Sequence, residues 1–137
     1  ALNDLSAALH TADYIVSITR SWLTPAILPL LVFVISGVIA FSTGTSWGTY
    51  AIMIPISVPL AFNFSGGELS TLIYATLAAT AGGGVFGDHC SPLSDTSILA
   101  STGAASDHID HIKTQLPYSM VVGVISMVAY LWLGMSL

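Results

Sequence analysis

The sequence predicts an all-helical protein embedded in a membrane, and three observations support this fold class. Of the 137 residues, 54% are hydrophobic and 7% are charged, whereas about 25% of a typical soluble domain is charged. The mean hydropathy is +0.85. Long apolar stretches alternate with short polar ones. Two basic and seven acidic residues are too few to cover a soluble surface, so we expect the lipid bilayer to be the solvent.

The net charge of the chain argues against two classes of binding partner. The formal charge of −5 opposes binding to nucleic acid, which requires basic patches, and opposes peripheral binding to anionic lipid. We therefore expect the bilayer itself as the partner and no nucleic acid.

The first half of the chain contains an amphipathic segment and a long apolar one. Residues 1–21 place leucine and isoleucine at helical spacing among polar residues, which predicts an amphipathic helix or linker at the membrane surface. Residues 22–62 are nearly uncharged but too long for one helix, since about 20 apolar residues span a bilayer. The polar octet "STGTSWGT" (residues 42–49) divides them, so they form either two spans or a re-entrant hairpin with the octet at its tip. Pro55 and Pro59 predict a bent or packed second arm.

The second half contains a second interrupted helix and a closing span. Helical character resumes at residue 69 after a turn at Gly66–Gly67, and residues 92–105 continue it beyond the stretch "AGGGVFGDHCS". Glycines 82–84 are predicted to end the first half-helix, and Ser91 is predicted to cap the second, with Pro92 at its first position. Residues 106–115, "SDHIDHIKTQ", are predicted to lie outside the hydrocarbon as a loop or short interfacial helix. Residues 117–137 predict a spanning helix.

Two interrupted apolar helices have a physical consequence. A helix broken inside a bilayer frees carbonyls at one end and N–H groups at the next, and protein, water or a bound ion must satisfy them. Carbonyl ends attract cations and N-terminal ends attract anions. Paired broken helices therefore indicate a transport site near the middle of the membrane.

The second interruption carries the candidate ligands. If the chain after Asp88 is helical, then Asp88, Ser91 and Asp95 share one face; if the helix starts only at Pro92, Asp95 still points back toward the break. Carboxylates, hydroxyls and free carbonyls are hard oxygen ligands that suit Na⁺ or a proton. A carboxylate within an apolar segment costs about 2.5–3.5 kcal/mol to insert and is functional by default. The structural alternative is that Asp88 caps a helix and Asp95 faces water.

Other polar residues have weaker signals. The octet supplies hydroxyls at Thr43, Thr45 and Ser46 that either line an uncharged half of a cation site or bond back to the backbone. His89 either relays protons or binds backbone in the interruption. His108 and His111, each with an acid before it, suggest a metal or pH-sensing role, and a solvated loop is the competing interpretation.

A different class, an intramembrane aspartyl protease, also uses two membrane aspartates. Those enzymes share a Gly-x-Gly-Asp motif, whereas this chain has one residue more between Gly84 and Asp88. Asp88 and Asp95 also lie in one segment and not on two facing helices. These two differences argue against a protease, and no enzymatic activity is expected.

The stretches "FSTGTSWGTYAIMIPI", "GGVFGDHCSPLSDTSILASTGA" and "DHIDHIKTQLPY" together resemble the C-terminal part of NhaC-type Na⁺/H⁺ antiporters. The resemblance implies a transporter fold of two inverted repeats, each with a re-entrant hairpin and a broken helix. It places the hairpin at 26–62 with its tip at Thr43–Ser46 and the broken helix at 69–105 with its break at Gly84–Ser91. The connecting loop is then 106–115 and the closing span 117–137.

This resemblance implies Na⁺/H⁺ antiport across a bacterial or archaeal cytoplasmic membrane, with ions as cargo and no cofactor. Na⁺ is expected at Asp95, Asp88, Thr45 and Ser46, and the carboxylates take protons when Na⁺ leaves. The wider set of expected ion- and proton-binding residues comprises Asp88, Asp95, Ser91, Ser94, Thr96, Thr43, Thr45 and Ser46.

Two alternatives stay open at this point. The first is a malate- or lactate-type organic anion antiporter on the same scaffold, although no arginine lies near either interruption. The second is an inactive membrane fragment, since the chain supplies one repeat. A complete site then needs the missing N-terminal repeat or a second copy of the chain.

Overall fold

The computed structural model describes residues 24–137, and this part of the chain folds into five helices. The amphipathic helix or linker predicted for residues 1–21 lies outside the described residues. The prediction of an all-helical protein is confirmed for residues 24–137. The helices are α1 (Leu28–Thr43), α2 (Ser46–Phe64), α3 (Thr71–Cys90), α4 (Asp95–Gly103) and α5 (His108–Ser136).

The first break, Gly44–Thr45, separates α1 from α2. Gly44 adopts the left-handed conformation (φ 67°, ψ 24°) and donates its N–H to the Ala40 carbonyl at 2.8 Å, which ends α1 because few other residues tolerate that backbone. Thr45 is extended and its hydroxyl accepts from the Gly48 N–H at 3.4 Å, which caps α2. The chain therefore turns within two residues, inside the predicted tip.

Helix α2 continues through both of its prolines, Pro55 and Pro59. Each proline removes one backbone N–H from the helical ladder, and both are half-buried against the rest of the bundle. Packing in the bundle therefore maintains the helix where its own hydrogen bonds are incomplete.

The prediction that glycines 82–84 end a half-helix is wrong, because α3 runs without interruption from Thr71 to Cys90. The glycines act in packing. A Cβ at Gly83 would overlap the Phe33 carbonyl of α1, and one at Gly87 would overlap the Gly37 carbonyl. Glycine at these two positions lets the backbones of α1 and α3 approach closely, as small residues do between membrane helices.

The second break comprises Ser91–Ser94 and separates α3 from α4. It begins later than predicted, and the predicted N-cap at Ser91 is also wrong. Ser91 instead accepts the Leu93 N–H at 3.1 Å, and Ser94 caps α4 by accepting the Ser97 N–H at 3.3 Å. Hydroxyl groups can close a local turn or cap a helix, and the serine directly before α4 takes the capping role.

Residues 106–115, predicted to be a loop or a short interfacial helix, are helical from His108 onward and continuous with the closing span. The Asp107 carboxylate accepts from the Ile109 and Asp110 N–H groups at 2.9 and 3.1 Å, which makes it the N-cap of α5. The polar composition of this segment indicated where it lies relative to the bilayer, but capping determines that it is helical. The helix also continues through Pro117.

Two of the described helices, α2 and α5, are long and apolar enough to cross a membrane, judged by length and composition. Helix α1 is apolar but has 16 residues, about 24 Å at 1.5 Å per residue, and is therefore shorter than the roughly 30 Å of a hydrocarbon core. A short first arm is compatible with a re-entrant hairpin, which stays a prediction.

The glycine contacts generate a stability prediction. Gly87→Ala forces the α1 and α3 backbones apart and is expected to destabilise the protein by about 1–3 kcal/mol, the usual cost of overpacking. The measurement is the free energy of unfolding in mixed detergent micelles.

The matched control is Gly103→Ala at the end of α4, where a Cβ meets open space. It is expected to be neutral or slightly stabilising, because alanine favours helix over glycine. Equal stability of the two variants would contradict the close-packing account.

Candidate cation site

The two breaks meet in space. The Ser91 hydroxyl donates to the Phe41 carbonyl in the last turn of α1 at 2.7 Å. Gly44 lies against the second break so closely that a Cβ there would be 2.5 Å from the Leu93 carbonyl oxygen. The tip of the α1–α2 hairpin therefore packs on the peptide units that join α3 to α4.

Asp88 lies beside this junction in the last turn of α3 and is 2% exposed. Its Oδ2 accepts a hydrogen bond from the Thr96 hydroxyl at 2.9 Å. Its Oδ1 is buried without a hydrogen-bond partner. A buried carboxylate oxygen with no partner is costly, so this atom is the most conspicuous open ligand position in the described structure.

A chain of hydroxyl groups leads from α4 to this carboxylate. Ser94 accepts the Ser97 N–H and lies 2.8 Å from the Thr96 hydroxyl. Because Thr96 donates to Asp88, the Ser94 hydroxyl must donate to Thr96. The N-terminus of α4 thus orients the single donor that holds Asp88 in place.

The other predicted carboxylate, Asp95, does not lie on a helical face shared with Asp88 and Ser91, because residues 91–94 are not helical. Asp95 is exposed, and its Oδ1 accepts the Thr96 N–H at 2.7 Å. No group of three or more acidic, histidine or cysteine side chains within residues 24–137 could hold a metal ion. An ion at Asp88 would therefore depend on hydroxyl and carbonyl oxygens, which suit hard cations.

The hydroxyls of the first break are directed mainly at backbone. Thr43 is exposed and donates to the Ile39 carbonyl at 2.9 Å, and Thr45 caps α2. Thr49 is fully buried and donates to the Thr45 carbonyl at 2.9 Å. Ser46 begins α2 beside them and is half-buried. These side chains are close in sequence to the junction, but no hydrogen bond among the described residues joins them to Asp88.

Most polar backbone atoms of the second break already have partners. The Asp88 and Ser91 carbonyls accept from the Ser91 and Ser94 N–H groups. The His89 carbonyl accepts from Gln115 at 3.2 Å, and the Pro92 carbonyl accepts from His108 at 2.8 Å. The expectation that a break leaves many free carbonyls for an ion therefore needs revision, and the side chain of Asp88 gains importance accordingly.

His89 is the residue that was expected to relay protons or to bind backbone. It is exposed, and its Nδ1 lies 2.9 Å from the Val85 carbonyl of its own helix. Neighbouring residues of a helix project in directions about 100° apart, so His89 and Asp88 face different sides of α3. This contact is to the backbone of α3 and not to the second break, and the proton-relay role stays a prediction.

The sequence did not indicate three groups that hold the second break in place. The Phe41 carbonyl holds Ser91, and both His108 and Gln115 reach the second break from α5. A backbone carbonyl is present in every residue, so the sequence does not show which one accepts a hydrogen bond. His108 did have a sequence signal, because it belongs to a polar segment with paired acids and histidines, but that pattern does not reveal the contact.

The family model described as the Na⁺/H⁺ antiporter family matches residues 1–135.

The chain belongs to the Na⁺/H⁺ antiporter family.

Curated relatives of the chain carry different names. An uncharacterized protein of Haemophilus influenzae is 42% identical over 98% of the chain. The arginine/ornithine antiporter ArcD of Halobacterium salinarum is 35% identical over 91%. The malate-2H(+)/Na(+)-lactate antiporter of Bacillus subtilis is 31% identical over 80%. The family is thus established as one of membrane transporters, while the names of its members include several kinds of cargo.

The chain spans about a quarter of the length of these relatives: 25%, 25% and 22%, respectively. No solved structure matches it. The geometry described above therefore corresponds to about a quarter of each of these relatives.

The hydrogen bond to Asp88 generates a prediction on stability. Thr96→Val removes the donor to Oδ2 and leaves both carboxylate oxygens unpaired, which is expected to cost about 1–3 kcal/mol. The free energy of unfolding measures this. In an Asp88→Asn background the cost of Thr96→Val should fall, because the partner charge is absent.

Thr102→Val is the matched control, since the Thr102 hydroxyl is exposed and bonds only to the Ile98 carbonyl of its own helix. A cost of Thr96→Val that equals that of Thr102→Val, or that is unchanged in Asp88→Asn, would refute the pairing.

Proposed function

We propose that this chain supplies the cation- and proton-binding carboxylate of a Na⁺/H⁺ antiporter, and that this carboxylate is Asp88. The observation that carries the proposal is the state of Asp88: 2% exposed, held through Oδ2 by Thr96, with Oδ1 buried and unpartnered. Asp95 takes a secondary role, because it is exposed and bonds the start of α4.

A single buried carboxylate is sufficient for exchange. Its charge is unfavourable in an apolar environment unless a cation or a proton neutralises it. Na⁺ and H⁺ therefore compete for one group, and loading from one side of the membrane displaces the other ion. In the occupied state, hydroxyls of the first break, Thr45 and Ser46, are proposed to complete the oxygen shell together with Asp88.

The helix N-termini at the breaks favour a cation over an anion as the direct ligand. The Thr45 and Ser94 hydroxyls cap the starts of α2 and α4, and Asp95 occupies the Thr96 N–H. Because side chains of the chain itself occupy one N–H group at the start of α2 and two at the start of α4, fewer donors remain to hold a carboxylate substrate. An organic cargo, as in the names of two relatives, would then need groups from the rest of the transporter.

The complete antiporter is proposed to reside in a cytoplasmic membrane. Because the chain spans about a quarter of its relatives, the proposed site is completed by further protein: an N-terminal repeat or a second copy.

The test uses the intact transporter in liposomes with an internal pH dye. Addition of Na⁺ is expected to move protons, with Li⁺, K⁺, arginine, malate and lactate as competing cargoes. Asp88→Asn is expected to abolish the response, because the remaining amide neither carries charge nor exchanges protons. Asp95→Asn is expected to retain a measurable rate.

Asp110→Asn is the matched control, since Asp110 is exposed on α5 and pairs with Lys113 at 3.4 Å. It is expected to leave transport unchanged. Na⁺-driven proton movement that persists in Asp88→Asn would refute the proposal. Proton movement in response to an organic cargo, with none in response to Na⁺, would show that the cargo is organic and not Na⁺.

A further inference from the structure

The start of α5 contacts the second break at two places. The His108 imidazole donates from Nε2 to the Pro92 carbonyl at 2.8 Å, and its Nδ1 lies 3.1 Å from the Ser101 hydroxyl of α4. The Gln115 amide donates to the His89 carbonyl at 3.2 Å. The helix therefore holds the chain before the break, within it and after it.

These contacts come from one side of α5. His108 and Gln115 are two helical turns apart, a spacing that places side chains on the same face. The carbonyls that they reach belong to the end of α3 and to the break, where no helical N–H follows to satisfy them. Without His108 and Gln115 these carbonyls would turn toward water or toward the ion.

We infer that residues 107–115, the N-cap and first turns of α5, form a brace that positions the second break, with His108 and Gln115 as positioning residues for the Asp88 site. The segment lies outside the candidate site and contributes no ligand. It holds Pro92 and Ser101, and through them the ends of the turn that carries Ser94 and Thr96 to Asp88. The inference about the break stands independently of the cargo; its consequence for transport depends on the proposed function.

The brace predicts how substitutions in α5 affect ion binding. If the brace fixes the break, its loss lowers the fraction of molecules in which the break can bind the ion. The apparent dissociation constant for the ion then rises as the inverse of that fraction. His108→Phe removes both hydrogen bonds but keeps an aromatic ring. His108→Gln keeps a side-chain N–H donor for Pro92 and should restore the function.

The experiment combines two measurements on the intact protein in nanodiscs or liposomes. Hydrogen exchange of the Leu93, Ser94 and Ser97 amides, taken in Na⁺-free buffer, reports opening of the break. Transport of ²²Na⁺ gives the half-saturating concentration and the maximal rate. In His108→Phe we expect exchange to accelerate about two- to tenfold, as for the loss of one or two hydrogen bonds. Half-saturating Na⁺ should rise by at most that factor, because it follows the competent fraction, with a smaller change in maximal rate.

Two further variants serve as a control and as a second test of the brace. Lys113→Gln alters an exposed residue of the same segment that contacts Asp110 and not the break, and it should match the wild type. Gln115→Leu removes the second contact and provides a test if His108→Phe does not fold.

Each outcome either supports the brace or overturns it. Accelerated exchange in His108→Phe and Gln115→Leu, with recovery in His108→Gln, supports the brace even if the wild type transports no Na⁺, a result that would refute only the proposed function. Unchanged exchange in His108→Phe, or equal effects of His108→Phe and His108→Gln, would overturn the brace.

Discussion

The close approach of α1 and α3 is the constraint on which the rest of the described structure depends. Gly83 and Gly87 allow the backbone of α3 to lie against the carbonyls of Phe33 and Gly37. At larger separation, Ser91 could not reach the Phe41 carbonyl, and the hairpin tip could not contact Leu93. Two helix breaks that are remote in sequence are therefore brought together by residues that have no side chain.

A second constraint is the pairing of backbone polar groups where helices end within an apolar environment. The second break meets it with bonds inside the turn, with Ser91 to α1, and with His108 and Gln115 from α5. The result leaves one buried carboxylate oxygen open, that of Asp88. An arrangement that satisfies its backbone but not its buried charge is suited to binding a small ion reversibly, which is what exchange requires.

The sequence predicted the all-helical class, which the structure confirms for residues 24–137, because composition has a direct physical meaning. It also predicted Asp88 as an ion ligand, since an acidic residue in an apolar run is costly, and that role stays a prediction. The sequence-based prediction failed at the glycines of α3, since a glycine that ends a helix and a glycine that packs two helices leave the same local pattern. At residues 106–115 polarity left a loop and a short interfacial helix open, and the structure is helical from His108 onward. Contacts such as that of His108 with Pro92 depend on how helices pack, and helix packing cannot be read from a single sequence.

The central claim is that Na⁺ and a proton compete for Asp88, and infrared difference spectroscopy of the purified transporter tests it most directly. Adding Na⁺ at a pH where the carboxyl is protonated should remove a protonated-carboxyl band in the wild type and in Asp95→Asn, and should leave the Asp88→Asn spectrum without that change. A band that disappears equally in Asp88→Asn would show that another group binds the ions and would contradict this account.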